Sequence, residues 1–176
     1  MKLDKYYTKT NVANQCLHRL LKDLPQIKNK IFIEPSAGNG SFYSLLPRYR
    51  RTGLDIAPTW NGIKQGDFLK WYPPNNNKNR YVVVGNPPFG HRSKLAVSFF
   101  NHAADIADTI GFIVPRQFQK YSVHSQLNRD FKLIKDYELE EGSFYTPDGK
   151  DFRVRCVFQE WTRKETGHKN LRVLAS

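Results

Sequence analysis

Cysteine is scarce in this chain. Cys16 and Cys156 are the only two, far apart and outside any C-x-x-C spacing. That excludes a zinc ribbon and a disulfide scaffold, and fits a reducing, cytoplasmic interior. Long apolar runs are missing too. Nothing approaches the roughly eighteen consecutive apolar residues of a membrane span, and the opening MKLDKYYTK lacks the apolar centre of a secretion leader, so no membrane partner is expected. No His/Cys/Asp cluster has ligand spacing, so no metal is implied. Internal repeats are absent. Acidic residues are few: sixteen Asp and Glu against twenty-eight Lys and Arg leave a formal charge of +12. A field of that sign attracts polyanions, which points to nucleic acid as a partner but carries no information about chemistry.

What is present suits one folded domain: 176 residues, 39% hydrophobic, 14% aromatic. Val12, Cys16, Leu17, Leu20, Leu21 and Leu24 recur at helical spacing, with Asn11 as a candidate N-cap and Pro25 beyond the end. Ile31-Phe32-Ile33 reads as a buried strand entering a glycine-rich turn, followed by a short helix through Phe42 and Leu46. Thr52 to Ile56 and a weaker segment before Gly66 are further strands, and Pro73 to Asn79 is a solvated loop. Tyr81-Val82-Val83-Val84-Gly85 is β-branched and apolar on both faces, as a central parallel strand requires. Leu95, Phe99, Ala103 and Ile106 mark an amphipathic helix before the strand Ile110 to Val114. Phe131 to Leu139 and Val154 to Trp161 are two strands with no helix between them, which predicts an antiparallel pair at one sheet edge. The expected fold is a single α/β domain over residues 1–162, a mostly parallel sheet ending in an antiparallel hairpin, with residues 163–176 a basic, flexible tail.

Two segments carry chemistry. In Glu34-Pro35-Ser36-Ala37-Gly38-Asn39-Gly40, glycines let the backbone approach a ligand closely. The third glycine of a dinucleotide fingerprint is absent, which argues against a nicotinamide enzyme. Asp55 ends the next strand about twenty residues after Glu34, where a carboxylate accepts both hydroxyls of a ribose. Together these favour a cofactor bearing a nucleoside.

The second segment is Gly85-Asn86-Pro87-Pro88-Phe89-Gly90. Two prolines with fixed φ and no N–H take the chain rigidly out of the sheet and leave its carbonyls directed. The Asn86 side-chain oxygen and the Pro87 carbonyl are thereby suited to accept both N–H bonds of one –NH₂ group. An amine conjugated to an aromatic ring is a poor nucleophile, and acceptors placed in advance meet the charge that develops on it. Phe89 supplies a face on which a planar ring stacks.

This set resembles the class I S-adenosylmethionine-dependent methyltransferases, specifically the amino-methyltransferases that form N6-methyladenine. The resemblance covers roughly residues 5–162. It implies a Rossmann-like fold and S-adenosylmethionine as cofactor, held by Tyr7 and Thr8 over its methionine part and by Glu34, Pro35, Ser36, Ala37, Gly38 and Gly40 around the amino-acid end. Asp55 would take the ribose, Ile56 the adenine face, and Asp67 and Phe68 the adenine amino group and ring. Asn86, Pro87, Pro88 and Phe89 would be the catalytic motif, with Asn86 also lining the cofactor site. It further implies a second aromatic around an extruded base, for which Phe144 is the candidate and Phe152 the fallback. Arg92, Lys94, Arg116 and Lys120 follow strand ends that face the site, and together form a candidate backbone-binding patch.

One departure stands out. DNA adenine methyltransferases with this motif order usually carry a target-recognition domain after the catalytic one, and here only a short tail follows. Low specificity, a protein partner that supplies recognition, and shape readout of structured RNA are the three expectations. DNA and RNA stay open. Methylation of a glutamine amide in protein is the alternative enzymatic reading, and a non-catalytic nucleic-acid-binding subunit the alternative outside catalysis.

Overall fold

The computed structural model describes residues 6–165. Seven strands form one sheet: β2 (Ile31–Glu34), β3 (Arg51–Asp55), β4 (Lys64–Gln65), β5 (Tyr81–Gly85), β6 (Thr109–Pro115), β7 (Phe131–Glu138) and β10 (Cys156–Arg163). Their spatial order is β4-β3-β2-β5-β6-β10-β7. The first five run parallel, and β10 pairs antiparallel with both β6 and β7, so the expected hairpin forms and β10 is its inner member. A second, three-stranded sheet joins β1 (Tyr7–Thr8), β8 (Phe144–Tyr145) and β9 (Asp151–Phe152) in the order β1-β8-β9. The helices are α1 (Thr10–Asp23), α2 (Lys94–Ile106) and the single turn α3 (Tyr121–His124).

Alternation along the central strands divides the core in two. Ile33, Val83, Ile110, Phe112 and Val114 pack with Phe99, Phe100 and Ala103 of α2 on one face. Phe32, Val82, Val84, Ile113 and Phe158 pack with Cys16, Leu17 and Leu20 of α1 on the other. A parallel sheet buried on both faces needs strands apolar at every position, and all of β5 and β6 is buried. Among the described residues no helix is long and apolar enough to cross a membrane.

Three local expectations change. The N-cap of α1 is Lys9, not Asn11: its N–H donates to the Ser143 carbonyl at 3.0 Å, so the chain leaves β1 extended and turns helical at Thr10. The helix expected through Phe42 and Leu46 is one 3₁₀ turn, Tyr43–Leu45. Pro47 stops it, because the residue before a proline is driven to extended backbone and Leu46 has ψ 156°. The last strand starts at Cys156 and runs through Arg163, whose guanidinium donates to the Ala104 and Ala107 carbonyls and lies over the Phe131 ring. From residue 166 onward the expected tail lies outside the described residues.

The α1 face holds a buried acid. Glu160 of β10 sits near Asp23 and Arg19 of α1 and Tyr137 and Lys135 of β7. Burial, with the neighbouring Asp23 carboxylate, lifts it from its ordinary 4.5 to about 8. A raised carboxyl stabilises the fold fully below its unfolded value and loses that contribution as pH rises through its folded one. Stability should therefore fall between about pH 4.5 and pH 8. In Glu160→Gln the slope over that window should flatten, the two proteins diverging most on the alkaline side. Urea titrations across pH read this directly, and parallel curves would refute it.

Candidate functional site

The direction of chain progression reverses between β2 and β5, the place where open α/β sheets bind ligands beyond their strand ends. Both signature segments leave the sheet there. A cleft at this point is lined by Tyr7, Thr8, Glu34, Ser36, Ala37, Gly38 and Asn86, seven of the residues expected to hold the cofactor.

The turn after β2 is tied to the neighbouring strand. The Ala37 N–H donates to the Leu54 carbonyl at 2.8 Å, and the Gly38 N–H donates to Asp55 Oδ2 at 2.8 Å. Asp55 Oδ1 accepts from the Ala57 N–H at 2.8 Å. Each carboxylate oxygen keeps further acceptor capacity, so Asp55 both locks the turn and presents lone pairs to a ligand. Beside it Ile56 is 66% exposed, an apolar side chain left in water at the strand end. Gly40 (φ +84°) is required: a Cβ there would stand 2.6 Å from the Trp60 ring. Tyr7 closes the other side, its ring 3.3 Å from where a Cβ on Gly38 would lie. Asn39 Nδ2 donates to the Tyr145 hydroxyl, tying the turn to the small sheet.

Glu34 ends β2 at 2% exposure, where burial raises its carboxyl well above the usual range. The Ser36 N–H donates to its Oε1 at 3.4 Å. Ser36 Oγ in turn donates to the Asn86 carbonyl at 2.9 Å, so the glycine turn holds the backbone of the second segment. Asn86 Nδ2 donates to Thr8 Oγ1 at 3.2 Å, which orients the amide. Its Oδ1 is buried and has no hydrogen-bond partner among the described residues. A buried acceptor without a donor costs stability, and a catalytic or binding role is one reason such a group is kept.

Pro87 is buried and Phe89 half-buried, its ring edge-on to Tyr6 with centroids 5.7 Å apart. The Phe89 carbonyl accepts from the N–H groups of Leu95 and Ala96, docking the start of α2. Between them Arg92 and Ser93 both lie in the left-handed region, φ 53° and 64°. Consecutive strained residues beside a candidate site are a recurrent sign of function. On this side a groove opens, lined among others by Phe89, Arg92, Arg116, Lys120 and Arg155.

Solved structures share this architecture. A proposed RNA methyltransferase of Pyrococcus horikoshii superposes with a TM-score of 0.69 at 19% identity, covering 93% of this chain and 89% of that one. Magnesium protoporphyrin IX methyltransferase of Synechocystis, solved with bound S-adenosylmethionine, gives 0.62 at 11% identity over 88% and 79%. A 23S rRNA methyltransferase gives 0.57 at 14% identity over 90% and 70%. This chain shares the Rossmann-like fold of these structures. No protein-family model matches it, and no curated protein does.

Within this fold many expected residues converge, and some do not. Phe144 is 1% exposed, packed in the α1-side core with the Tyr6 ring edge-on to it, so it offers no face to a base. Phe152, the fallback, stacks on Tyr6 at 4.6 Å. Phe68 is likewise core, stacked with Phe99 beneath α2 rather than open to an adenine. Asp67 is exposed but caps the 3₁₀ turn Phe68–Lys70 through its bond from the Leu69 N–H at 3.0 Å. Lys94 begins α2 outside the groove lining, and Arg116 faces Glu138 at 3.7 Å. Trp60, Tyr145 and Arg155 were not expected at the site. Only Arg155 left a signal, the Arg153-Val154-Arg155 cluster.

Proposed function

We propose that this chain is an S-adenosylmethionine-dependent methyltransferase acting on the exocyclic N6 amine of adenine in nucleic acid. The observation that carries the reading is the buried, unpartnered Asn86 Oδ1, an acceptor held in place from two sides. The turn fits the cofactor: Asp55 offers a ribose two carboxylate oxygens already fixed by backbone N–H groups. Tyr7, Thr8 and the segment from Glu34 to Gly40 would hold the amino-acid end, and Ile56 the adenine ring. Bound there, the cofactor supplies an electrophilic methyl group on a sulfonium sulfur.

The protein's own work is on the amine. Asn86 Oδ1 and the Pro87 carbonyl accept its two N–H bonds, which fixes the nitrogen and favours its pyramidal, nucleophilic form. The bond from Asn86 Nδ2 to Thr8 Oγ1 leaves Oδ1 as the amide atom free to accept. Phe89 stacks on the base, and the cations of the groove carry phosphates. The RNA methyltransferases among the structural neighbours support a nucleic-acid substrate.

The test is transfer of tritiated methyl from S-adenosylmethionine to unmethylated DNA, structured RNA and total protein in parallel, followed by nucleoside mass spectrometry. N6-methyladenosine or its deoxy counterpart is expected; label confined to protein would replace the reading with amide methylation. Asp55→Ala should weaken S-adenosylmethionine binding about 10- to 100-fold, the worth of a charged acceptor, with Asp55→Asn losing less. An unchanged calorimetric affinity would move the ribose partner elsewhere.

A further inference from the structure

One aromatic adjoining the groove in the chain leaves its ring in water. Tyr121 is 86% exposed, yet its chain neighbours Lys120 and Ser122 both line the groove beyond Phe89. Its backbone is firmly mounted. Phe118 and Val123, on either side, are anchored in the α2-side core. The Lys120 N–H donates to the Gln117 carbonyl at 2.9 Å, and the Tyr121 carbonyl accepts from Ser125 at 2.9 Å. A large ring is thus carried into water from a fixed backbone, next in the chain to residues of a groove carrying Arg92, Arg116, Lys120 and Arg155.

We infer that Tyr121 is a stacking platform for an unpaired nucleotide flanking the reacting base, and that the substrate is a strand without a complement. The inference rests on reading the groove as a nucleic-acid path, and deepens it. Aromatic faces interleaved with cations bind single strands, because every base has a face to stack and every nucleotide a phosphate. A duplex makes a different demand: a base pulled from the stack must be re-stacked and its place made good. Phe144, the ring expected to help there, is turned into the core. Phe89 instead lines the groove, and Tyr121 lies in the chain between two further lining residues, Lys120 and Ser122. That arrangement suits a strand lying along the groove.

The experiment is fluorescence anisotropy of the full chain with labelled oligothymidylate, oligouridylate and a mixed-sequence duplex of equal length. Both homopolymers lack adenine, so binding is read apart from methyl transfer. Wild type should bind an unpaired strand more tightly than the duplex, and the better of the two strands identifies DNA or RNA. Tyr121→Ala should lose roughly tenfold in affinity for that strand, while Tyr121→Phe retains it. The salt dependence should not change, because no cation is removed. Tyr121→Ala binding like wild type, equal affinity for duplex, or no binding of either strand would each overturn the inference. If Tyr121-dependent binding appears but no methyladenine forms, the methyl-transfer reading fails and the platform stands. Methyladenine without a Tyr121 effect gives the reverse.

Discussion

In Asn86→Ala, turnover should drop about 10²- to 10³-fold while S-adenosylmethionine still binds. The substitution removes the Oδ1 acceptor, which has no partner among the described residues to lose. The Asn86 carbonyl, which Ser36 Oγ holds, survives the change, so the glycine turn stays attached. The Nδ2 bond to Thr8 is lost as well, so the main loss is expected in kcat, with the fold intact and only a smaller change in cofactor affinity. Single-turnover kinetics paired with calorimetry separate the two quantities. Equal losses of binding and rate would assign Asn86 a purely structural role. Asn86→Asp is the sharper variant: it keeps an acceptor oxygen in place but loses the Nδ2 donor to Thr8, so some activity should return relative to alanine.

The second large effect is on stability. A Cβ on Gly85 would stand 2.2 Å from Glu34 Oε1 and 2.9 Å from its carboxyl carbon, and φ there is +150°. Neither strand can yield, since β2 and β5 are adjacent and Glu34 is enclosed. Gly85→Ala should cost about 3 kcal/mol or more, combining overpacking with unfavourable backbone. Urea unfolding measures it. Trimming the partner separates the causes: Glu34→Ala in the Gly85→Ala background should recover the steric part and leave the backbone part. Strict additivity of the two substitutions would show that the side chains do not meet.

Much of this was legible from residues alone where short-range rules act. β5 is an unbroken apolar β-branched run, and no other environment suits it. Phe131 to Leu139 and Val154 to Trp161, with turn residues and no helix between them, leave an antiparallel pair as their simplest connection. The glycine turn and the Asn-Pro-Pro-Phe segment were visible because backbone geometry restricts those positions to a few residue types. Aromatic assignments fared differently. Phe144 and Phe68 look like free rings in the sequence, but which face of a strand or turn points inward depends on what packs there. Tyr6 and α2 take those faces.

Composition and local pattern by themselves determined an α/β domain, a parallel sheet with a terminal hairpin, two constrained turns after sheet strands and a basic chain. These follow from periodicity, fixed φ, glycine tolerance and charge, all properties of neighbouring residues. The tertiary structure alone decided that Thr8, Ser36 and Asn86 meet, that Asp55, expected to hold a ribose, also locks the glycine turn, and that Phe144 is core while Tyr121 stands in water. Each of those depends on contacts between residues distant in the chain. Such contacts are set by strand order and packing, for which no local run of residues carries a signal.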